Sequence, residues 1–314
     1  MSAFTPGSVS LRLYPHLELA APEIVEELRA QASLAAEHGF DGVMTSEHHG
    51  GFGGYLPNPL QLAGWLLEAM PRGWAAPCPL LLPLRPAALV AEEAAWLAAR
   101  FPDRVGLGVA AGALPADFEI MGVPMENLAG RFAEGLDLVT QVLRGSPPPA
   151  LSGDAAIARC REHPVPVVSA DNSVTAVRRA AAAGAGVIFD SLSAPERCRQ
   201  LSDAYRDAGG TGGCVLIRRV WVGPPPADLV ARQVDVYRSY APATAQARWD
   251  ADQLVTGPDP DAVAAQLGRV ATAAGADSVN LRVHVPGVSV EAAREQIALL
   301  GSCGIRFDVD VHDR

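Results

Sequence analysis

Short apolar runs alternate with segments of helical periodicity along most of the chain. The runs have the length of buried strands, and the periodic segments carry their apolar residues on one helical face. The pattern predicts strands at residues 9–14, 41–46, 74–82, 104–110, 165–169, 187–189, 214–222 and 278–283. It predicts helices at 22–38, 58–70, 86–100, 128–143, 174–183, 195–208, 228–240, 261–274 and 290–300. This alternation favours an α/β fold, a (β/α)8 TIM barrel formed by residues 1–314 as one domain. An open doubly wound sheet is the structural alternative.

One motif favours the open sheet, namely the stretch Gly106-Leu107-Gly108-Val109-Ala110-Ala111-Gly112. A dinucleotide-binding loop has a similar pattern, but here the third glycine comes one residue late. Pro115 also stands where the phosphate-binding helix would begin. The stretch is therefore interpreted as a strand whose glycines allow a ligand or a neighbouring backbone to approach closely.

Composition narrows the functional classes. Hydrophobic residues make up 49% of the chain and charged residues 19%, which is typical of a globular protein with a large core. The formal net charge is -10, and all 25 basic residues are arginines. An acidic chain without basic runs is a poor candidate for binding nucleic acid or an anionic membrane surface. The absence of lysine excludes Schiff-base and pyridoxal chemistry, because both require a lysine amine.

Cysteine usage and the N-terminal residues indicate the compartment. The five cysteines, Cys78, Cys160, Cys198, Cys214 and Cys303, form no Cys-x-x-Cys pair and are expected to be reduced. The first residues lack the basic start and apolar stretch of a signal peptide, and no apolar segment approaches membrane length. A cytoplasmic location is therefore expected.

The strongest candidate site follows the second predicted strand. Glu47, His48 and His49 end this strand and precede the loop Gly50-Gly51-Phe52-Gly53-Gly54. A (β/α)8 barrel presents its chemistry at the C-terminal ends of its strands, so these side chains are expected at the active site. The motif alone also fits a metal cluster or a solvated strand end. Further polar residues at predicted strand ends are Tyr14, His16, Asp190, Ser191 and His284.

Several segments between about residues 9 and 304 resemble, in order and spacing, the bacterial luciferase-like flavin monooxygenases. That family has the (β/α)8 fold, which periodicity also predicts. The segments are Gly39-Phe40-Asp41-Gly42-Val43 leading to Glu47-His48-His49, then Asn58-Pro59, Ala91-Glu92-Glu93, Gly106-Leu107-Gly108 leading to Asp117-Phe118 and Gly122-Val123, and Ala180-Ala181-Ala182-Ala183-Gly184.

The resemblance implies an enzyme that takes reduced FMN from a separate flavin reductase. Reaction with dioxygen would give a flavin hydroperoxide, which oxygenates a small organic substrate in a pocket closed to water. In luciferases the first histidine of the motif acts on this species, and the matching residue is His48. An imidazole there suits hydrogen bonding and proton transfer near neutral pH. Glu47 and His49 are further catalytic candidates: Glu47 either orients an imidazole or bonds the flavin ring, and His49 either joins the site or points away from the barrel. A homodimer is also expected.

The resemblance further implies where the flavin ring lies. Luciferases carry a non-prolyl cis peptide under that ring, and the aligned bond here is Cys78-Pro79. The cis form is less unfavourable for an X-Pro bond than for other residues, so the same bulge is expected. The alternative is that Pro77 and Pro79 merely end the strand.

For the FMN phosphate, Asn172 and Ser173 match the family's contacting positions at the start of the helix after strand five. Amide groups and the helix dipole favour an anion there, although ordinary helix capping explains the same residues. The family's phosphate-contacting arginine aligns with Ala111, so another arginine is needed, and Arg282 and Arg85 are candidates.

Asp190 and Ser191, at the end of strand six, complete the candidate cofactor-binding set. Asp190 has an alternative role as the cap of the helix that starts near Pro195.

Two related functions remain open beside the FMN-dependent monooxygenase. One is an F420-dependent oxidoreductase of the same superfamily, which transfers hydride without oxygen, and the other is a flavin-binding barrel without catalysis. F420 relatives usually show an Asp-His pair at the end of strand two, so Glu47-His48-His49 is closer to the FMN branch, a preference that Ala111 weakens. A metal-dependent hydrolase is disfavoured because the first strand lacks paired histidines, and no metal is expected. The loops that select the organic substrate carry no pattern that identifies it.

Overall fold

The computed structural model describes residues 2–240, 246 and 253–301, so Cys303 lies outside the described residues. The strands are β1 Val9–Arg12, β2 Gly42–Thr45, β3 Trp74–Pro77, β4 Leu80–Leu81, β5 Leu107–Ala110, β6 Val167–Ala170, β7 Gly186–Phe189, β8 Cys214–Val222, β9 Leu254–Gly257 and β10 Ser278–Arg282. The helices are α1 Ala21–Glu37, α2 Pro59–Ala69, α3 Ala87–Arg100, α4 Pro115–Ile120, α5 Leu128–Leu143, α6 Ala155–Arg159, α7 Val174–Ala183, α8 Pro195–Asp207, α9 Ala227–Tyr240, α10 Pro260–Ala274 and α11 Val290–Gly301. Strand β8 and helices α5 and α7 begin and end at the predicted residues.

The strands form one parallel sheet that closes on itself. The strand order is β3-β2-β1-β10-β8-β7-β6-β5-β4. Strand β9 pairs with the C-terminal part of β8, from Arg219 to Val222. Because β3 and β4 are consecutive halves of one strand, the two ends of this order meet. Ala75 of β3 bridges Val105 just before β5, and Leu80 of β4 pairs with Val109. The predicted (β/α)8 barrel is therefore confirmed, and the open doubly wound sheet is wrong.

Three features differ from the predicted pattern. The third strand, predicted as one run over 74–82, is interrupted at the Cys78–Pro79 peptide bond, which is cis, and then resumes as β4. Strand β3 thus ends at Pro77, as the alternative predicted, and the cis bond separates it from β4. The additional strand β9 and the short helices α4 and α6 were not predicted, because segments of four to six residues show too little periodicity.

The N-terminal end of the barrel is filled by apolar side chains. Phe4 packs edge-on against Trp74, with ring centroids 5.3 Å apart, and Met44 and Val168 lie in the same buried cluster. The Trp74 ring fits there because residue 42 is glycine: a Cβ at this position would lie 2.1 Å from the ring. A ligand must therefore enter from the opposite end, where the C-terminal ends of the strands meet.

Helices cover the outer face of the sheet and bury its outward-pointing residues in a continuous core. Helix α2 illustrates how the sequence starts such a helix: Asn58 Oδ1 accepts from the Gln61 amide at 3.1 Å, and Pro59 occupies the first turn. None of the helices in the described ranges is both long and apolar enough to cross a membrane.

Candidate active site

His48 lies at the C-terminal mouth of the barrel and is held by a buried carboxylate. Its Nδ1 is 2.7 Å from Oδ2 of Asp117, and the other oxygen, Oδ1, accepts from the His49 amide at 2.8 Å. Asp117 belongs to α4 and is fully buried, whereas the His48 side chain is 18% exposed. A carboxylate only accepts hydrogen bonds, so this contact places a proton on Nδ1 and directs Nε2 away from Asp117. The arrangement is that of an imidazole oriented for proton transfer.

Glu47, which follows β2, contacts Leu81, Arg85 and His49. Its carboxylate accepts from the Leu81 amide at 2.6 Å, contacts the Arg85 guanidinium, and lies 3.1 Å from His49 Nε2. Burial raises the pKa of Glu47, and Arg85 opposes this effect. The contact with His49 fits the predicted role of orienting an imidazole. His49 is itself buried against Glu47.

Aromatic rings surround His48. Its ring centroid is 4.8 Å from that of Phe52 and 4.5 Å from that of Tyr55, both in or next to the glycine-rich loop. Tyr55 packs edge-on against Tyr14 of the segment after β1, at 5.4 Å. The Tyr55 hydroxyl also lies 3.2 Å from that of Tyr237 on α9, so the loop and α9 meet across the mouth. These contacts cover most of the imidazole and leave the His48 side chain 18% exposed.

The polar residues after β10 and β1 lie on the same side of the mouth. His284 stacks on Tyr14 at 5.8 Å and meets His16 edge-on at 4.6 Å. Burial, reinforced by His16 and Arg282, lowers the pKa of His284 to about 3, so its ring is neutral. His16 in turn contacts Glu18 and Gln31 at 3.0 Å each. Three of the five polar residues predicted at strand ends, Tyr14, His16 and His284, are therefore brought together here.

A buried arginine supports the bulge in the third strand. Arg12 donates to the Cys78 carbonyl at 2.7 Å and to Asn280 Oδ1 at 2.7 Å, and it contacts Ser46 Oγ. Burial raises the pKa of the Cys78 thiol to about 11, although Arg12 opposes the shift, so the thiol is protonated at neutral pH. The side chain fits only because residue 108 is glycine: a Cβ there would lie 2.1 Å from Cys78 Sγ.

The start of α7 carries the residues predicted to hold a phosphate. Ser173 Oγ accepts from the Ala176 amide at 3.2 Å, which is ordinary capping, and Asn172 precedes it. Arg197 of α8 donates to the Asn172 carbonyl at 3.0 Å and so lies over this loop. Asp171 is also in the loop, buried, with Arg179 at 3.9 Å, and burial raises its pKa.

The two arginines proposed from the sequence to neutralise this phosphate are engaged elsewhere. Arg85 pairs with Glu47, and Arg282 lies over the Tyr14 ring at 4.0 Å. Arg197 donates to the predicted phosphate loop, and Arg179 lies near Asp171 of the same loop. Arg197 belongs to a different helix, so no local sequence pattern pointed to it.

Asp190 caps the turn after β7. Its Oδ1 accepts from the amides of Leu192 and Ser193 at 2.8 Å each, and its Oδ2 accepts from Ser193 Oγ at 2.9 Å. Asp190 therefore stabilises the turn itself, whereas the helix that follows begins after Ala194 without a side-chain cap, so the predicted role of Asp190 as the cap of that helix is wrong. Ser191 is buried in the same turn.

Besides Arg197, Asp117 and Arg12 had no role assigned from the sequence. Asp117 was part of a family-like segment, but α4 was not predicted, so nothing indicated that its carboxylate reaches His48. Arg12 stands in an alternating strand pattern that does not reveal an inward guanidinium. In the described part of the chain no three His, Cys, Asp or Glu residues form a group that could hold a metal ion.

Comparison with known proteins identifies the family. The profile of the luciferase-like monooxygenase family matches residues 8–305. An uncharacterized protein of Mycobacterium tuberculosis (strain ATCC 25618 / H37Rv) is 46% identical over 66 residues, 21% of this chain and 23% of that protein. The aligned stretch thus spans less than a quarter of that relative's length.

Two solved structures share the fold. The oxygenating constituent of 3,6-diketocamphane monooxygenase from the CAM plasmid of Pseudomonas putida, in complex with FMN, superposes with a TM-score of 0.76 at 18% identity, covering 96% of this chain and 99% of that one. An F420-dependent secondary alcohol dehydrogenase in complex with an F420-acetone adduct superposes with a TM-score of 0.71 at 16% identity, covering 96% and 100%. At these identities the structural likeness establishes the fold alone. The match over residues 8–305 shows that this chain belongs to the luciferase-like monooxygenase family.

Proposed function

We propose that the chain is the oxygenase component of a two-component monooxygenase, which uses reduced FMN from a separate reductase to oxygenate a small organic substrate. The observation that carries this proposal is the His48–Asp117 pair, an oriented imidazole at the barrel mouth among Phe52 and Tyr55. A proton donor in a pocket lined by aromatic rings is what oxygenation by a flavin requires, because water would divert the reaction to hydrogen peroxide.

The residues at the mouth fit a flavin. Cys78 and Pro79 would lie against the flat ring, with Arg12 donating to the Cys78 carbonyl. The first turn of α7 offers amide groups to a phosphate, and Arg197 supplies a positive charge in place of the arginine missing at Ala111. The buried carboxylate of Asp171 is the one group in this loop that would oppose a phosphate.

The proposal assigns a role to each of these side chains of the candidate site. Reduced FMN would supply the electrons that activate dioxygen. His48 would hold or deliver a proton at Nε2, and Asp117 would keep the ring in the required orientation. Phe52 and Tyr55 would exclude water, while Asn172, Ser173 and Arg197 would bind the phosphate. Glu47 and His49 would keep the β2 end rigid rather than react.

Equilibrium titration of the flavin-free protein tests the cofactor assignment. We expect FMN to bind more tightly than riboflavin or F420, and the reduced protein–FMN mixture to consume oxygen. Arg197→Gln should remove about ten- to a hundred-fold of the FMN affinity, the contribution of a charge-assisted hydrogen bond, and leave riboflavin unchanged. Arg199→Gln is the matched control, because Arg199 lies on the same helix but pairs with Asp203.

Tight binding of F420 with no response to FMN would instead support an F420-dependent oxidoreductase. Equal binding of FMN and riboflavin by the native protein would show that the start of α7 holds no phosphate.

A further inference from the structure

Arg282, at the end of β10, is a buried arginine beside the candidate site. It is 4% exposed, and its Nη1 donates to the Tyr237 hydroxyl at 2.6 Å and its Nε to the His284 carbonyl at 3.1 Å. Among the described residues it forms no ion pair with a carboxylate. The hydrogen bonds that it makes there use Nε and Nη1, which leaves Nη2 for a ligand.

A second buried arginine lies next to it. Arg219 of β8 is paired in register with Arg282 of β10, and both line a narrow cavity beneath α9. The other walls of this cavity are mainly apolar, formed by Trp221, Val230 and Val285 among others. Both arginines therefore adjoin a small, mainly apolar space.

Among the residues that the structure describes, no neighbouring carboxylate cancels the charge of Arg282. The neighbouring His284 ring is neutral because burial lowers its pKa to about 3. Burial alone would raise the pKa of Tyr237, but Arg282, the hydrogen bond with Tyr55 and Arg219 together lower it, which indicates a positive field at its hydroxyl. A buried charge without an opposite charge is unfavourable, so an anion that enters this region gains a strong interaction.

We propose that Arg282 binds the anionic group of the substrate, which is a small organic carboxylate or similar anion with an apolar, preferably aromatic, body. This inference rests on the proposed function for the identity of the ligand as substrate. The phosphate of FMN is the other possible anion, but β10 is separated from β6, which leads into α7, by β8 and β7. The two anion sites are therefore on different sides of the mouth. The Tyr14 ring, 4.0 Å from the guanidinium, would pack against the substrate body.

Calorimetric titration of the flavin-free protein with benzoate and with benzamide tests this site. The two probes have nearly the same shape and differ in charge. We expect benzoate to bind about ten- to a hundred-fold more tightly, and this preference to disappear in Arg282→Gln and to persist, reduced, in Arg282→Lys. Arg232→Gln, on the exposed face of α9, should leave it unchanged.

Parallel titration with FMN separates this inference from the proposed function. Arg282→Gln should bind FMN as the native protein does. If the variant instead loses its preference for FMN over riboflavin, Arg282 holds the phosphate and the inference is overturned. Equal affinity of the native protein for benzoate and benzamide would overturn it too, whether or not the variant folds. A benzoate preference in a protein that binds no FMN would support the anion site while refuting the cofactor.

Discussion

At the scale of single residues, the His48–Asp117 pair makes the most direct prediction. His48→Ala should hasten the return of bound reduced flavin to its oxidised state after oxygen is added, with release of hydrogen peroxide. The change should be on the order of a hundred-fold, as for loss of a positioned proton donor. Asp117→Asn keeps the imidazole but leaves one acceptor oxygen for two donors, His48 Nδ1 and the His49 amide, so we expect a smaller effect in the same direction. Stopped-flow absorbance of the oxidised flavin measures both.

A second His–Asp pair supplies the control for that experiment. His163 lies 3.1 Å from Asp103 on the surface. His163→Ala should leave flavin reoxidation unchanged. If His48→Ala also leaves it unchanged, His48 is structural and the catalytic role is wrong.

The raised pKa of Asp171 predicts how the stability of the protein changes with pH. Burial raises the pKa of this carboxyl above its usual 3.8, with Ser169 and Arg179 opposing the shift. The folded state therefore favours the protonated form, and stability is lost as pH rises from the unfolded pKa through the folded one. Asp171→Asn should stabilise the protein at neutral pH and have little effect in acid, as urea unfolding at both pH values would measure.

Asp154 provides a comparison, because its pKa is shifted in the opposite direction to that of Asp171. Its pKa is lowered, chiefly by the hydrogen bond from the Ile157 amide at the start of α6. Asp154→Asn should destabilise the protein at neutral pH, and this loss should fade as the pH falls through the folded pKa of Asp154. A neutral-pH loss of stability in Asp171→Asn would contradict the burial argument.

At the scale of elements, α9 and the glycine-rich loop close the mouth together. Their contact is the Tyr55–Tyr237 hydroxyl pair, and Arg282 donates to the same Tyr237 oxygen. Tyr237→Phe removes that oxygen while keeping the ring. We expect faster hydrogen exchange in α9 and in residues 50–55, with exchange in α10 unchanged. Equal protection of α9 in both proteins would show that apolar packing alone holds this helix.

The sequence predicted the long helices correctly but missed the shortest ones. Long periodic segments such as α5 and α7 were predicted with correct bounds, because their apolar faces repeat over several turns. The bulge in the third strand was expected from the resemblance and from Pro79, and the structure has it. Helix α4 is six residues long, too short for periodicity to reveal, and with it the role of Asp117 was missed.

The sequence also did not predict contacts between residues that are distant along the chain. Glu47, His48 and His49 were found because they are adjacent in sequence at one strand end. The contacts of Arg197 and Arg282 depend on the packing of other elements, which no local pattern encodes. Arg197 was not considered from the sequence, and Arg282 was a candidate for a phosphate that we propose on the other side of the barrel.

At the scale of the whole molecule, the closed barrel buries the thiols. Cys78, Cys160, Cys198 and Cys214 are free and buried, and burial raises the pKa of each, to about 11, 11 and 12 for Cys78, Cys198 and Cys214. A protonated, inaccessible thiol reacts slowly with disulfide reagents. In a Cys303→Ser background, we expect no thiol to react at neutral pH until the protein unfolds. Rapid reaction of any one under native conditions would show that the barrel opens locally.

A crystal structure of the chain with bound FMN tests most directly whether the barrel mouth at His48 is a flavin site. We expect the ring to lie on the Cys78–Pro79 bulge with its reactive edge facing His48 Nε2, and the phosphate to lie at the first turn of α7 in contact with Arg197. Flavin bound elsewhere on the protein, or a ring turned away from His48, would contradict the proposed site.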